Sequence, residues 1–535
     1  MTDAPSPDLI FHNASIHTMR STADRARAVA IADGRFVAVG GDEDVLALRG
    51  DATTVEDLGG ATVIPGIVDA HNHMQKYGKV LRDADLYDVR SIEDALARLA
   101  EHASRLPPGT PVVGRGDCLH PGSLAEGRLP DRTDLDRVAT DRLVGIADVN
   151  KTILNSFALE RLTIDEGDVP RGGVVGRDET SGAPDGRFFY GAKTMTPLGA
   201  QSASLSEISL IDALRAGSRA LTASGITSIV LPGADFDVIA ALRELAARGE
   251  LTVRVTAMPP VAALDEPERI AESGLACGAG DDMLRFGPLK VFHDGFLMHR
   301  TALMHEPFVG QPDNRGWRRQ EADELHAIVR RASDAGWPVA VHVTGDRALD
   351  EAVEALAAVP SPRPTCPHHV IHAYFMTEAA RETMARTGTT AALQPPFLRA
   401  WGDSVREFVG EGRAERFLPL RAYLDAGIAC GASADAPIAS PRPGLGIAAA
   451  VTRRAASGHV LGEREALSFA EAIHLYTRGG AAVTAEADDK GVIAAGALAD
   501  FVVLDRDAFS QSGDELIRVP VRRTVLGGRT VFDAE

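Results

Sequence analysis

The feature that most constrains this chain is a regular alternation of helical and strand-like segments from about residue 205 to 485. Stretches rich in Ala, Leu, Glu and Arg each lead into a short apolar run. SLSEISLIDALRAGSRALTAS precedes ITSIVL, DFDVIAALRELAARGE precedes LTVRVTAM, and EADELHAIVRRASDAG precedes PVAVHVT. RALDEAVEALAAV then precedes HHVIHA, TEAARETMARTG precedes TTAALQ, and FLPLRAYLDAG precedes IACGASAD. Short apolar strands separated by helices demand a parallel sheet with crossover helices. With TVIPGIVDA as the first strand and MLRFGPLKVF as the fourth, eight strands predict a (β/α)8 barrel of the TIM type.

The flanks follow a different rhythm. DLIFHNASIHTM and AVAIADGRFVAVGG near the start, and GALADFVVLDRD and RRTVLGGRTVF near the end, alternate short strands with turns. They predict one small β-domain built from residues 1–60 and 486–535. The barrel takes residues 61–80 and 205–485. Residues 81–204, which mix a helix, strands and a Gly-rich stretch from Pro170 to Gly191, read as an insertion after the first barrel strand.

The chain has 535 residues, 45% hydrophobic and 24% charged, which excludes a mainly disordered or fibrous protein. A net charge of −19 argues against nucleic acid as a partner, and so against a nuclease reading of His71-Asn72-His73. No apolar run nears the roughly 20 residues that span a bilayer. The opening MTDAPSPDLI lacks the pattern of a signal peptide, so a cytoplasmic location is expected. Cys118, Cys277, Cys366 and Cys430 lie far apart and read as reduced structural thiols.

Polar residues at the C-terminal ends of barrel strands are the candidates for chemistry. His71 and His73 end the first strand, Lys290 lies in the fourth, His342 ends the fifth, His372 the sixth and Asp435 the eighth. Alternate residues of an extended strand face one way, so His-x-His aims two imidazoles at one ion. Imidazole and carboxylate are the usual nitrogen and oxygen ligands of zinc and similar metals. A βα unit takes roughly 31 residues. His342 and His372 are 30 apart, or one unit, and His372 and Asp435 are 63 apart, or two. His368 and His369 compete for the sixth-strand role, but the apolar Val370-Ile371 pair puts His372 at the strand end. Asp294, next to Gly295, reads as a turn residue. Gln394, Arg399 and Trp401 follow the seventh strand and can line a pocket, although Trp401 can equally pack.

In this order, PGIVDAHNH, LKVFHDG with RTALMHEPF, VHVTGDRALD, IHAYF, ALQPPFL, SADAPIASPRPGLG and KGVIAAGALADFVVLD resemble the amidohydrolase superfamily. The resemblance is to its YtcJ-like branch, amidohydrolase family 3, which includes N-substituted formamide deformylases. It covers nearly the whole chain and implies a metal-bearing barrel with a β-sandwich built from both termini. It also implies hydrolysis of C–N bonds by a metal-bound hydroxide. On this reading His71, His73 and Asp435 hold one metal, and His342 and His372 hold a second. Lys290 bridges them as a carboxylated lysine, and Asp435 shuttles the proton. Tyr190 stands where the family often has Glu, and Ile371-His372-Ala373-Tyr374 replaces a Glu-His-Ala-Gln run. Tyr190, Tyr374, Gln394 and Trp401 are therefore the expected substrate contacts.

The expected activity is hydrolysis of a non-peptide amide or formamide bond, with one or two Zn2+ or similar divalent ions. A deaminase or cyclic-amide hydrolase, or a lyase or isomerase on the same scaffold, is the alternative. The expected partner is a small-molecule substrate rather than nucleic acid or membrane, and a homodimer is an open expectation.

Overall fold

A computed structural model describes residues 6–116, 119–170, 172–199, 208–363, 365–505, 515, 517 and 519–534. From Leu210 to Ala432, helices and parallel strands follow one another as the sequence pattern requires. Local chemistry sets where they begin. Ser209 caps the helix Leu210–Ala223 by accepting from the Asp212 N–H, and Asp235 caps Phe236–Ala247 by accepting from Val238. Both satisfy donors that a first helical turn leaves unpaired.

The parallel strands form two sheets. One runs Leu284–Phe286, Arg254–Met258, Ile226–Pro232, Ile67–Asp69; the other runs Leu289–Phe292, Val339–Val343, His369–His372, Thr390–Leu393, Cys430–Ala432. Their edges are joined, since Lys290 N–H donates to Pro259 O at 2.8 Å and Ala70 N–H to Ala432 O at 3.1 Å. Every residue in these strands is buried except Arg285 and Phe292. Burial on both faces is the mark of parallel strands under helices. Ala70, Val230, Met258, Ala340, Ile371 and Ala392 share one inner apolar cluster.

Two runs expected as single strands are each divided. TVIPGIVDA breaks at Gly66, with Thr62–Pro65 joining a terminal sheet and Ile67–Asp69 a parallel one. A Cβ on Gly66 would lie 2.1 Å from Thr227 Oγ1, so the chain passes there only without a side chain. MLRFGPLKVF breaks at Gly287-Pro288, where proline offers no N–H to a ladder, and its halves enter different parallel sheets.

The termini supply a four-stranded sheet (Arg35–Gly40, Ala28–Ala32, Leu9–His12, Thr54–Asp57) and a six-stranded one. The latter orders Arg529–Asp533, Val521–Leu526, Phe501–Leu504, Thr62–Pro65, Ser15–His17 and Arg25–Ala26. Phe501 packs between Phe11 at 5.1 Å and Phe36 at 6.3 Å, in a cluster that also holds Ile16, Val29 and Val503. A buried ion pair ties this end to the parallel strands: Arg254 meets Asp500 through Nε–Oδ2 at 2.7 Å and Nη2–Oδ1 at 2.8 Å.

Between the first and second parallel strands lies another six-stranded sheet. It orders Val174–Arg177, Pro184–Phe189, Lys151–Leu154, Val144–Ala147, Val112–Arg115 and Ala84–Asp85. The Gly-rich stretch thus carries an antiparallel hairpin. This sheet and its loops reach segments beyond the parallel strands: Tyr87 Oη donates to Pro437 O at 2.7 Å, and His299 Nε2 lies 3.3 Å from Val149 O.

The cysteines differ from expectation. Cys277 and Cys366, 89 residues apart in sequence, have Cα atoms 6.8 Å apart and form a disulfide. Sequence distance hid this pair, because the parallel array brings the segments before two of its strands together. Cys430 is a buried thiol whose pKa burial pushes up to about 12, which suits an inert role. Cys118 lies outside the described residues. Among the described residues, no helix is long and apolar enough to cross a membrane.

Candidate metal centre

The His71-Asn72-His73 segment is fixed by its backbone. Asn72 N–H donates to Val230 O at 2.9 Å, His73 N–H to Ala436 O at 3.0 Å, and Asp435 N–H to His71 O at 3.0 Å. The buried Asp69 carboxylate braces the turn, accepting from His71 N–H at 3.1 Å and Asn72 Nδ2 at 3.0 Å. These bonds deliver both imidazoles to one carboxylate. Asp435 Oδ1 lies 3.2 Å from His73 Nε2 and 3.6 Å from His71 Nε2. One donor atom from each of the three residues falls within a 4.8 Å cluster.

His372 and His342 adjoin this group. The His372 ring is 5.4 Å from that of His71 and 4.5 Å from that of His342. His372 Nδ1 is 2.8 Å from Gln394 Oε1, and His342 Nε2 is 2.9 Å from Gly295 O. A ring nitrogen engaged by an acceptor fixes the tautomer and leaves the other as a lone-pair donor. Lys290 points from the neighbouring strand; it is 3% exposed, and its Nζ makes no hydrogen bond.

Electrostatics keep the imidazoles neutral. Burial, with the Lys290 charge and the other rings, holds His71 and His342 well below the usual histidine range. Burial brings His372 to about 4, and His73 is lowered by burial and by Lys76. Burial pushes the Asp435 carboxyl up, but the His73 hydrogen bond and the surrounding positive groups outweigh it, and the net shift is downward. Burial also lowers Lys290 to about 7. Neutral imidazoles and an ionised carboxylate are the donor set a divalent cation requires. The residues present fit such an ion.

Three positions here carry left-handed backbone: His372 has a φ of 78°, Ala373 of 40° and Asp435 of 53°. Each lies where the chain turns away from a strand end. L side chains rarely adopt this conformation, and it costs about 1–3 kcal/mol.

The other expected residues divide. Tyr374 is fully buried 5.5 Å from the His372 ring, with its hydroxyl unpartnered. Both ends of the Gln394 carboxamide are engaged, Oε1 with His372 Nδ1, and Nε2 with Ala392 O at 3.1 Å and Ser433 Oγ at 2.9 Å. Through Oε1 it orients the His372 ring. Trp401 stacks on Phe397 at 3.5 Å and is 1% exposed, so it packs. The Tyr190 ring meets Phe189, Phe408 and Arg300, none of them an expected ligand. Asp294 is buried and accepts from the backbone of Leu303, Thr344 and Gly345 and from Thr344 Oγ1, a structural turn as expected. Arg399 is buried on the helix Pro396–Val409.

Sequence reasoning passed over Asp69, Lys76 and Phe292. Phe292 stands two residues beyond Lys290 in the same strand, so the two-residue strand period places both on one face.

The family model Amidohydro_3, described as "Amidohydrolase family", matches residues 54–532. The chain is 30% identical over 544 residues to YtcJ of Bacillus subtilis (strain 168), covering 98% of this chain and 99% of that one. It is 27% identical over 549 residues to the N-substituted formamide deformylase of Arthrobacter pascens, covering 97% of each. Among solved structures it is similar to an uncharacterized metal-dependent hydrolase of Pyrococcus horikoshii OT3. That match has a TM-score of 0.70 and 25% identity, over 95% of this chain and 99% of that one.

Proposed function

Since the chain belongs to the amidohydrolase family, we propose that it is a metal-dependent hydrolase cleaving a non-peptide C–N bond, of amide or formamide type, in a small molecule. The observation that carries this reading is the convergence of His71, His73 and Asp435 beside His342, His372 and the unpartnered Lys290 amine. In this reading the two parallel sheets close into one eight-stranded barrel, the terminal sheets form a β-sandwich, and residues 81–204 cover the site. The joined edges and the bonds from Tyr87 and Val149 support it. On this reading the seat of the reaction is the mouth formed by the strand ends, where such barrels hold their chemistry.

His71, His73 and Asp435 would hold zinc or a similar ion, with His342 and His372 available to a second. When bound, a divalent ion supplies Lewis acidity, polarising a carbonyl and lowering a water's pKa from 15.7 to about 7. The chain's own residues supply the rest. Asp435, with Oδ1 turned toward both imidazoles, is placed to take a proton from water and return it to the leaving nitrogen. An amine leaves poorly without that proton. Gln394 and Asp69 hold His372 and the His71 turn in register. Lys290, neutral as its lowered pKa of about 7 allows, can add carbon dioxide to form a carbamate and release one proton; that anion would join the ligand set.

Purified protein should contain a divalent transition metal and cleave members of a panel of N-acyl and N-formyl amines. Chelation should abolish turnover and metal should restore it. Active protein carrying less than about a tenth of an equivalent of metal would overturn the reading.

A further inference from the structure

At the end of an otherwise buried strand, Phe292 is 43% exposed. Its register partner across the sheet is His342, whose ring lies 5.0 Å away, and Lys290 Nζ is 4.7 Å from the Phe292 ring centre. This ring is therefore continuous with the metal-ligand cluster and still open to solvent. A large apolar side chain left open inside a functional cleft is a binding surface, not a packing surface.

The neighbouring loop extends it. Trp317 is 45% exposed, and the Arg319 guanidinium lies 5.2 Å from the Phe292 ring centre and 5.3 Å from that of Trp317. Arg319 is held by its N–H on His293 O at 2.8 Å and by Nε on Asp294 O at 3.2 Å. Among the described residues no carboxylate pairs with it, whereas the adjacent Arg318 pairs with Glu351 and Glu321. Lys76, in the first turn after His73, adds a second cation whose charge reaches His73 and Asp435. In a chain of net charge −19, Arg319 thus stands beside the Phe292 ring with no carboxylate partner among the described residues. The field of such a guanidinium selects and steers anions.

We propose that Phe292, Trp317 and Arg319 form an outer subsite for the far end of the substrate. That end is a planar apolar group bearing a carboxylate remote from the bond to be cleaved. Phe292 and Trp317 supply the apolar wall and Arg319 the counter-ion. A guanidinium matches a carboxylate with paired donors, and its stacking on aromatic faces orders it before the ligand arrives. The proposal rests on the hydrolase reading for what happens at the near end, but its own test does not.

Binding of 4-methylbenzoate to the metal-loaded protein, followed by calorimetry, tests the subsite without turnover. Wild-type protein should bind it, and Arg319→Ala should weaken binding about tenfold, the value of one charge-assisted hydrogen bond. Trp317→Ala should weaken it too. A carboxylate held by the metal instead would bind equally well to Arg319→Ala, and that result, or no binding at all, overturns the subsite. Turnover adds a second arm. The ratio of kcat/KM for 4-(formamidomethyl)benzoate over N-formylbenzylamine should be about ten in the wild type and near one in Arg319→Ala. Arg319-dependent binding with no turnover of any N-acyl or N-formyl amine would defeat the hydrolase reading and leave the subsite standing. Turnover with equal ratios in both proteins would do the reverse.

Discussion

Two buried aspartates divide the labour near the centre, and substitution should separate them. Asp435 offers Oδ1 to two imidazoles at 3.2 and 3.6 Å, whereas the hydrogen bonds to the Asp294 carboxylate come from backbone N–H groups and Thr344, with a single imidazole, His342, farther off at 3.7 Å. Asp435→Asn should therefore lose bound metal and activity, roughly a thousandfold or more in kcat, with melting temperature little changed in the metal-free protein. Asp294→Asn should instead lose on the order of 2–4 kcal/mol of stability, because an amide NH2 then faces backbone donors in a dry interior. Metal analysis beside thermal melts reads both. Tyr374, with its hydroxyl unpartnered next to His372, gives a milder expectation: Tyr374→Phe should change substrate preference severalfold with metal content unchanged. His71 and His73 were read from their His-x-His pattern at a strand end, and His342, His372 and Asp435 from spacings of one and two βα units. The Gln394–His372 contact was not legible, because that distance is fixed by neighbouring strands, which no linear spacing reports.

At the scale of elements, the helix Asp346–Ala358 anchors the loop that follows Lys290. Its Glu351 accepts from Arg318 Nε at 2.8 Å, Arg347 Nε at 3.0 Å and His293 Nε2 at 3.0 Å. Burial alone would raise the Glu351 carboxyl, but these donors outweigh it and hold it at about 2. A depressed carboxyl stabilises the fold above its unfolded value, near 4.5, and that stabilisation is lost as pH falls toward 2. Glu351→Gln should thus be less stable than wild type at pH 7 by on the order of 2–3 kcal/mol. The gap should shrink steadily in urea midpoints taken at pH 4 and pH 3; a constant gap would refute the linkage. A second joint is Gly66. Gly66→Ala forces a Cβ against Thr227 and should cost about 1–3 kcal/mol, measured as a lower urea midpoint. The helix–strand rhythm could be read locally, but the breaks at Gly66 and Gly287-Pro288 could not. They occur where one strand must leave a sheet for another, and only the third dimension contains that demand.

Over the whole molecule, residues distant in sequence lock the layers together. Phe501 from the C-terminal segment packs with Phe11 and Phe36 from the N-terminal one, and Asp500 pairs with Arg254 where both are buried. Removing one partner of such a pair strands a buried charge, so Asp500→Ala should cost about 3–5 kcal/mol, with unfolding of the parallel strands and terminal sheets in one transition. Calorimetry resolving two separate transitions in the wild type would show the layers to be independent. Strand patterns near both termini were readable in the sequence, and strands from the two ends share one six-stranded sheet. The Cys277–Cys366 bridge was not readable, since nothing in a spacing of 89 residues signals it.

The left-handed backbone at His372, Ala373 and Asp435 sets fitness against comfort at the same positions. Glycine or asparagine would sit there at ease, yet neither offers the imidazole or the carboxylate. A lineage released from catalysis would relax this backbone most readily at Asp435, where asparagine keeps the side-chain volume; at the buried His372 a glycine would also leave a cavity and strand Gln394 Oε1, which offsets the backbone gain of about 1 kcal/mol. Sturdy but inert descendants are the natural drift of such a molecule, and a loss of the Asp435 carboxylate in an otherwise intact chain would mark one.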